Sequence, residues 1–134
     1  MEVRIQERLG LRKESLTDSA LQKMRDQITV VIATLNEADC IGSLVDDVRS
    51  KGYDRILVVD GYSKDATRQV AEQRGAKVIG QHGKGKAGAI LVARDVVDTP
   101  YFLLMDGDNT YDPADIDRFA RHFPQRVSQQ PWHP

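Results

Sequence analysis

The sequence has little of what disulfide-rich, secreted or membrane-spanning proteins need. Its 134 residues contain one cysteine, Cys40, which excludes an internal disulfide framework and favours a reducing compartment such as the cytoplasm. The longest apolar run, at 101–105, is far shorter than the roughly 20 residues of a membrane-spanning helix. Charged residues interrupt the first positions, where a secretory signal has its apolar core. We therefore expect neither secretion by that route nor a membrane span.

Neither sign of charge is in excess. Nineteen Lys and Arg residues face twenty Asp and Glu residues, which gives a net charge of −1. Broad nucleic-acid binding needs an excess of positive charge, so we expect no nucleic-acid partner. The three histidines lack metal-ligand spacing, and no Ser-His-Asp set can be argued, so no catalytic residue is assigned. The hydrophobic share of 40% is ordinary for one globular domain.

Three stretches differ in texture. Residues 1–27 are rich in both charges and carry only scattered apolar positions, which predicts an exposed, partly helical N-terminal extension. Residues 28–123 alternate apolar runs with amphipathic segments and form the predicted domain. Residues 124–134 show no periodicity and are predicted to be an irregular tail.

The domain reads as alternating strands and helices of an α/β fold. Near-continuous apolar runs of strand length, rich in Val and Ile, are typical of a parallel sheet that is covered on both faces. Helical periodicity separates them. One helix is predicted to begin near Ser63, whose hydroxyl can cap free backbone N–H groups, and the last one is predicted to begin at Pro113. Strands joined by helical crossovers form a parallel sheet with right-handed connections. The predicted strands are 28–33, 55–59, 76–79 and 101–105.

Polar residues follow each predicted strand. In an open parallel sheet, ligands bind beyond the carboxyl ends of the strands, and these ends share one edge. We therefore expect a ligand site there, although single acidic loop residues often only form turns or caps. The four polar clusters are 34–37, 60–65, 80–86 and 106–108.

The pair Asp106 and Asp108 is the sharpest of these signals. Two carboxylates on a turn made tight by Gly107 can converge on one hard cation, and Mg²⁺ commonly shares its shell with substrate phosphates. Such a pair on its own is a weak motif, and the alternative is a turn with one capping and one solvated carboxylate.

The glycine-rich loop at 80–88 leaves two alternatives open. Glycines at 83, 85 and 88 fit a dinucleotide fingerprint, but the loop follows the third predicted strand and not the first. Gly80, Gly85 and Lys86 fit most of a P-loop, but Ala87 stands where Ser or Thr would hold the metal ion. The plain interpretation is a flexible loop whose lysines can approach a phosphate.

Four segments are informative when they are taken together: Thr34-Leu-Asn-Glu37, Val58-Val-Asp-Gly-Tyr-Ser-Lys-Asp-Ala-Thr67, Gly83-Lys-Gly-Lys-Ala87 and Met105-Asp-Gly-Asp-Asn-Thr-Tyr111. Together they resemble the family 2 glycosyltransferases of GT-A fold, and within them the dolichyl- or polyprenyl-phosphate mannosyl- and glucosyltransferases. The resemblance covers about 28–119 and implies a Rossmann-like nucleotide-binding half with strand order 3-2-1-4.

The resemblance implies a base-binding group of residues. Glu37, with the backbone near Ala33 and Leu35, is expected to contact the nucleotide base, and so is Asp60. We expect Asp60 and Glu37 to serve recognition rather than stability, so that Asp60→Ala barely changes the melting temperature. Ala33 and Leu35 replace a proline and a tyrosine that many relatives carry, so base stacking is expected to differ.

The resemblance also implies a diphosphate and metal group. Asp106 and Gly107 are expected against the ribose and diphosphate. Asp108 is expected to hold Mg²⁺ or Mn²⁺, with Asp106 sharing the ion and Thr110 completing its shell. Lys84 is expected near the phosphates.

The implied reaction is hexosyl transfer from a nucleotide-diphospho-sugar, GDP-mannose or UDP-glucose, to a polyprenyl or dolichyl phosphate at a membrane surface. Relatives continue well beyond this chain, which resembles their N-terminal half, so whether it is an enzyme is left open. The alternatives are an inactive nucleotide-sugar-binding remnant and a degenerate P-loop module. A cytoplasmic location is expected, with a peripheral position at the membrane left open. An uncovered edge strand predicts self-association.

Overall fold

A computed structural model describes residues 18–81, 85–108 and 112–117 of the chain. Helices and strands alternate through these segments, in the predicted order. The helices are α1 (Asp18–Asp26), α2 (Ala38–Ser50), α3 (Thr67–Gln73) and α4 (Gly85–Val96), the strands are β1 (Ile28–Thr34), β2 (Ile56–Asp60), β3 (Lys77–Gly80) and β4 (Tyr101–Asp106), and a short 3₁₀ helix spans Pro113–Asp115.

The strands form one parallel sheet in the order β3-β2-β1-β4, which confirms the predicted α/β fold and its strand order. Strands β2 and β4 include their closing acids, Asp60 and Asp106, so both carboxylates belong to strand ends. In the register, Asp60 is the partner of Thr34 and Asp106 is the partner of Ala33. The two acids therefore flank the carboxyl end of the central strand β1.

Apolar side chains bury both faces of the sheet, which is why its strands read as near-continuous apolar runs. On one face, Ile41 and Val48 of α2 are buried with strand residues such as Ile32. On the other face, Ala89 and Val92 of α4 pack against the alternate strand positions. Strand β4 lies at the sheet's edge, and the self-association expected from that edge stays a prediction.

Helix α1 lies within the stretch that the sequence predicted to be an exposed extension. Its Met24 packs against the core, and Arg25 donates to both carboxylate oxygens of Asp117, at 3.1 and 2.7 Å. The Tyr53 hydroxyl also donates to Asp117, at 2.6 Å, and burial raises the pKa of that hydroxyl. Residues 18–26 are thus tied to the domain, and the division at 27/28 stays a prediction. Residues 1–17 lie outside the described part of the chain.

Two predicted helices differ from what is observed. The helix expected near Ser63 begins at Thr67. The N–H and the hydroxyl of Ser63 donate to the Asp60 carboxylate, so Ser63 does not cap that helix. The helix predicted to begin at Pro113 starts instead as the 3₁₀ helix Pro113–Asp115, and Ile116 after it is buried as the predicted apolar stripe requires. The rest of that stripe, Phe119, Ala120 and Phe123, and the predicted tail at 124–134, lie outside the described residues. Across the described segments, every helix is too short or too polar to cross a bilayer.

Candidate functional site

The turns after β2 and β4 both bond to the end of β1. The Gly61 N–H donates to the Thr34 carbonyl, and the Gly107 N–H donates to the Ala33 carbonyl, each at 2.9 Å. These two bonds continue the parallel ladders past the last paired residues of the strands. The predicted meeting of polar segments at one sheet edge therefore holds for the segments that follow β1, β2 and β4.

The acidic turn packs tightly against β1 and the start of α2. A Cβ atom added to Gly107 would lie 2.6 Å from Cγ2 of Thr34 and 3.5 Å from Cγ of Glu37. Only a residue without a side chain fits this approach, which brings the turn carrying Asp106 and Asp108 beside Glu37. Asp106 is half-buried and Asp108 is exposed.

Negative charge accumulates around Glu37. Burial raises the pKa of its carboxyl group, and the charges of Asp108, Asp65 and Asp106 raise it further, in that order. The donor set consists of carboxylate oxygens, which suit Mg²⁺ or Mn²⁺. In the segments that the structure describes, no three His, Cys, Asp or Glu side chains form a metal-binding group by themselves. The residues present fit a cation that takes one or two carboxylates and fills its shell with phosphate and water.

Asp60 occupies the predicted position, but its carboxylate faces inward. Its exposure is 0%. One oxygen accepts hydrogen bonds from the hydroxyls of Thr34, at 2.9 Å, and Ser63, at 2.5 Å. The other oxygen accepts from the Ser63 N–H at 2.8 Å. The expectation that Asp60 contributes little to stability does not fit this burial, because the carboxylate satisfies three donors.

Asp60→Ala is therefore expected to lower the free energy of unfolding by about 3 kcal/mol, since bonds to a charged acceptor are worth roughly 1.5–3 kcal/mol and leave donors unsatisfied when lost. Urea unfolding followed by circular dichroism measures the change. Asp54→Ala is the control: the Asp54 side chain is 71% exposed, with a loose 3.9 Å pair to Arg49, and its loss should cost less than about 0.5 kcal/mol. Equal stability of Asp60→Ala and the native chain would restore the original expectation.

Side chains of the β2–α3 loop satisfy the backbone at the start of α2. The Asn36 N–H donates to Ser63 Oγ at 2.7 Å, and the Ala38 N–H donates to Asp65 Oδ2 at 3.2 Å. In return, the Lys64 N–H donates to the Asn36 side-chain oxygen at 2.8 Å. The first N–H groups of a helix have no hydrogen-bond acceptors within the helix. Here side chains of the β2–α3 loop supply such acceptors.

Thr67 completes this network from a fully buried position. Its hydroxyl accepts a hydrogen bond from the Glu37 N–H at 2.8 Å and donates to Asp65 Oδ1. That bond, with the backbone bonds around it, holds the pKa of Asp65 below its usual value. The network thereby fixes the backbone of Glu37. The sequence-based prediction missed these roles of Ser63, Asp65 and Thr67, although their spacing of two residues was a readable signal.

The other predicted site residues divide into two groups. Ala33 is half-buried in β1, and Leu35 follows the strand with 56% of its surface exposed. Lys84 and Thr110 lie outside the described residues, and so does most of the glycine-rich loop. Their predicted roles at the phosphates and the metal ion stay predictions.

Two proteins of related sequence carry the names of sugar transferases. Over 91 residues the chain is 42% identical to glycosyltransferase AglJ of Haloferax volcanii, covering 67% of this chain and 30% of that protein. A dolichyl-phosphate hexose transferase of the same organism is 34% identical over 96 residues, covering 70% of this chain and 42% of that protein. The chain thus spans less than half the length of either relative.

Solved structures share the fold. Glucosyl-3-phosphoglycerate synthase from Mycobacterium tuberculosis, in complex with uridine diphosphate, superposes with a TM-score of 0.65 at 24% identity, over 75% of this chain and 41% of that one. Mannosyl-3-phosphoglycerate synthase from Rubrobacter xylanophilus superposes with a TM-score of 0.56 at 27% identity, over 66% and 34%. The family profile described as glycosyl transferase family 2 matches residues 29–129. With most of its length matched, the chain belongs to glycosyl transferase family 2.

Proposed function

We propose that the carboxyl edge of the sheet binds a nucleotide-diphospho-sugar with a divalent cation, as the donor site for hexosyl transfer to a lipid phosphate. The observation that carries this proposal is the packing of the turn 106–108 against β1 and Glu37, which gathers carboxylates at the end of the sheet. Support comes from glucosyl-3-phosphoglycerate synthase, which was crystallised with uridine diphosphate and Mn²⁺, and also with Mg²⁺.

In this proposal Asp108 and Asp106 hold Mg²⁺ or Mn²⁺. The ion supplies Lewis-acid neutralisation of the charge on the departing diphosphate. Gly107 lets the acidic turn pack closely against β1, because a side chain there has no room. Its backbone is proposed to lie against the diphosphate. Thr110 is proposed to complete the metal shell, and Lys84 is proposed to approach the phosphates.

The base is proposed to lie against the segment 33–37. Leu35 offers exposed apolar surface, and the Glu37 carboxylate can accept hydrogen bonds from base N–H groups. Asp60 contributes by holding the turn after β2 through its three internal bonds. Direct contact of the Asp60 carboxylate with the base stays a prediction, since it requires that carboxylate to leave these partners.

The acceptor in this proposal is a lipid phosphate. The two sugar donors to test are GDP-mannose and UDP-glucose. The related protein named dolichyl-phosphate hexose transferase supports this acceptor class. A phosphate monoester has a second pKa of about 6, so its oxygen is largely ionised near neutral pH. The reaction therefore needs little general-base help from the protein, in contrast to transfer to a sugar hydroxyl.

Calorimetric titration with four nucleotides tests the donor site. UDP, GDP, ATP and NAD are each titrated into the 134-residue chain, in Mn²⁺ and in EDTA. We expect UDP or GDP to bind in Mn²⁺, with affinity at least about tenfold lower in EDTA, a difference of about 1.4 kcal/mol. Preference for ATP would favour the degenerate P-loop, and preference for NAD would favour a dinucleotide site. Binding of none of them would overturn the proposal.

A transfer assay separates an enzyme from a binding remnant. The chain is incubated with labelled UDP-glucose or GDP-mannose, Mn²⁺ and a polyprenyl phosphate, and the lipid is then extracted. Labelled lipid above the level seen with Asp108→Asn supports transfer by the chain itself. Nucleotide binding without labelled lipid would favour the remnant.

A further inference from the structure

Tyr62 has an unusual backbone for its residue type. Its φ is +69°, in the left-handed region, where the Cβ atom of an L-residue is crowded and where a bulky side chain is an outlier. Its ring gains little from packing, because 67% of the residue is exposed. Such strain persists only where the surroundings impose it, and it concentrates at functional sites.

The neighbours of Tyr62 impose this conformation. On one side, Asp60 is buried and the Gly61 N–H donates to the Thr34 carbonyl at 2.9 Å. On the other side, both the N–H and the hydroxyl of Ser63 donate to the Asp60 carboxylate. The chain must therefore turn within a single residue, and the ring of Tyr62 is left on the solvent side of a rigid turn.

Leu35 lies opposite Tyr62 on the neighbouring loop. Two hydrogen bonds join the loops: Thr34 is bonded to Gly61, and Asn36 is bonded to Ser63. Leu35 lies between these two bonds on one loop, and Tyr62 lies between them on the other. Both are exposed. Among the residues that the structure describes, four large hydrophobic side chains are exposed. Leu35 and Tyr62 lie at the carboxyl edge of the sheet, whereas Ile90 and Leu91 lie on α4.

We infer that Tyr62 is a nucleotide-binding residue whose ring stacks on the base of the nucleoside diphosphate. The inference rests on the proposed function and deepens it. An aromatic side chain on a backbone held by its neighbours, beside an apolar residue and next to an acidic edge, matches a ligand with a flat aromatic end and a charged end. The base takes the apolar side with Leu35 and Tyr62, while the diphosphate lies toward Asp106 and Asp108.

The test compares two ligands that differ by the nucleoside. Tyr62→Gly removes the ring and places in the left-handed turn the residue that adopts it most readily. We expect UDP or GDP, whichever the native chain binds in Mn²⁺, to bind Tyr62→Gly about tenfold more weakly, as for the loss of one base–aromatic stack. The affinity for inorganic pyrophosphate in Mn²⁺ should not change, and the melting temperature should not fall.

Two further variants sharpen the comparison. Tyr62→Phe keeps the ring and should bind the nucleotide more tightly than Tyr62→Gly. Leu91→Ala removes an exposed apolar side chain of α4, 58% exposed, and should leave both affinities unchanged. Equal nucleotide affinity of Tyr62→Gly and the native chain would overturn the inference while leaving the proposed function standing, and so would equal weakening of pyrophosphate. Absence of nucleotide binding by the native chain would overturn both.

Discussion

Gly107→Ala is expected to lower the free energy of unfolding by about 2–3 kcal/mol, the upper part of the range for overpacking a buried position. The added methyl group would lie 2.6 Å from Cγ2 of Thr34 and 3.2 Å from the carbonyl oxygen of Ala33. Thr34 is itself buried, which leaves its Cγ2 little room to move aside. The turn must then separate from β1, which also displaces Asp106 and Asp108. Thermal and urea unfolding measure the loss of stability.

Gly80→Ala provides the matched control. Gly80 also ends a strand at this edge, and an added Cβ atom there meets nothing within 4 Å, so its stability should change by less than about 0.5 kcal/mol. The double variant Gly107→Ala, Thr34→Ser removes Cγ2 and keeps the hydroxyl that bonds to Asp60. It should recover part of the loss, as contacting residues couple in a double-mutant cycle. Additive losses would show that the methyl clash is not the cause.

Asp108→Asn is expected to abolish the dependence of nucleotide binding on Mn²⁺. The amide keeps the size of the side chain and removes the charge that a hard cation prefers. We expect affinity for the nucleoside diphosphate in Mn²⁺ to fall at least about tenfold, or about 1.4 kcal/mol, to near the value in EDTA. Because Asp108 is exposed, the melting temperature of the Asp108→Asn variant should stay close to that of the native chain. Calorimetry in the two buffers measures both affinities.

Asp98→Asn removes the same charge from an exposed position near the amino end of β4. It should leave the Mn²⁺-dependent affinity unchanged, which separates a local metal role from a change in overall charge. Native-like Mn²⁺ dependence in Asp108→Asn would contradict the metal role of Asp108.

The strands were predictable because a sheet covered on both faces demands apolar residues at every position. Runs such as 28–33 and 55–59 meet that demand within a few residues, and no distant information is needed. The strand order is different. Periodicity does not determine which strands pair, and the order β3-β2-β1-β4 followed from the resemblance to a family.

Contacts between distant segments were not predictable in the same way. The ion pair between Arg25 and Asp117 joins residues 92 positions apart, and neither residue belongs to a sequence motif that predicts the other. The residue type of Ser63 predicts a cap of the following helix, whereas its hydroxyl accepts a hydrogen bond from the Asn36 N–H in the loop between β1 and α2. A capping residue type shows that some N–H groups need a partner, but not whose they are.

The site was predictable in position more than in environment. The end of a strand places Asp60 and Asp106 at the ligand edge whatever their surroundings. Whether a carboxylate at that edge faces solvent or the interior depends on neighbouring loops. For Asp60 those neighbours are Thr34 and Ser63, so its burial became visible only in three dimensions.

Paramagnetic broadening by Mn²⁺ tests the location of the donor site most directly. Amide signals of the chain are recorded with a bound nucleoside diphosphate, first in Mg²⁺ and then with a small fraction of Mn²⁺. We expect selective broadening of residues 106–108 and 33–37, while the signals of Asp54, Lys77 and Asp98, at the opposite end of the strands, stay sharp. Broadening centred on that opposite end, or no site-specific broadening with nucleotide bound, would contradict the account.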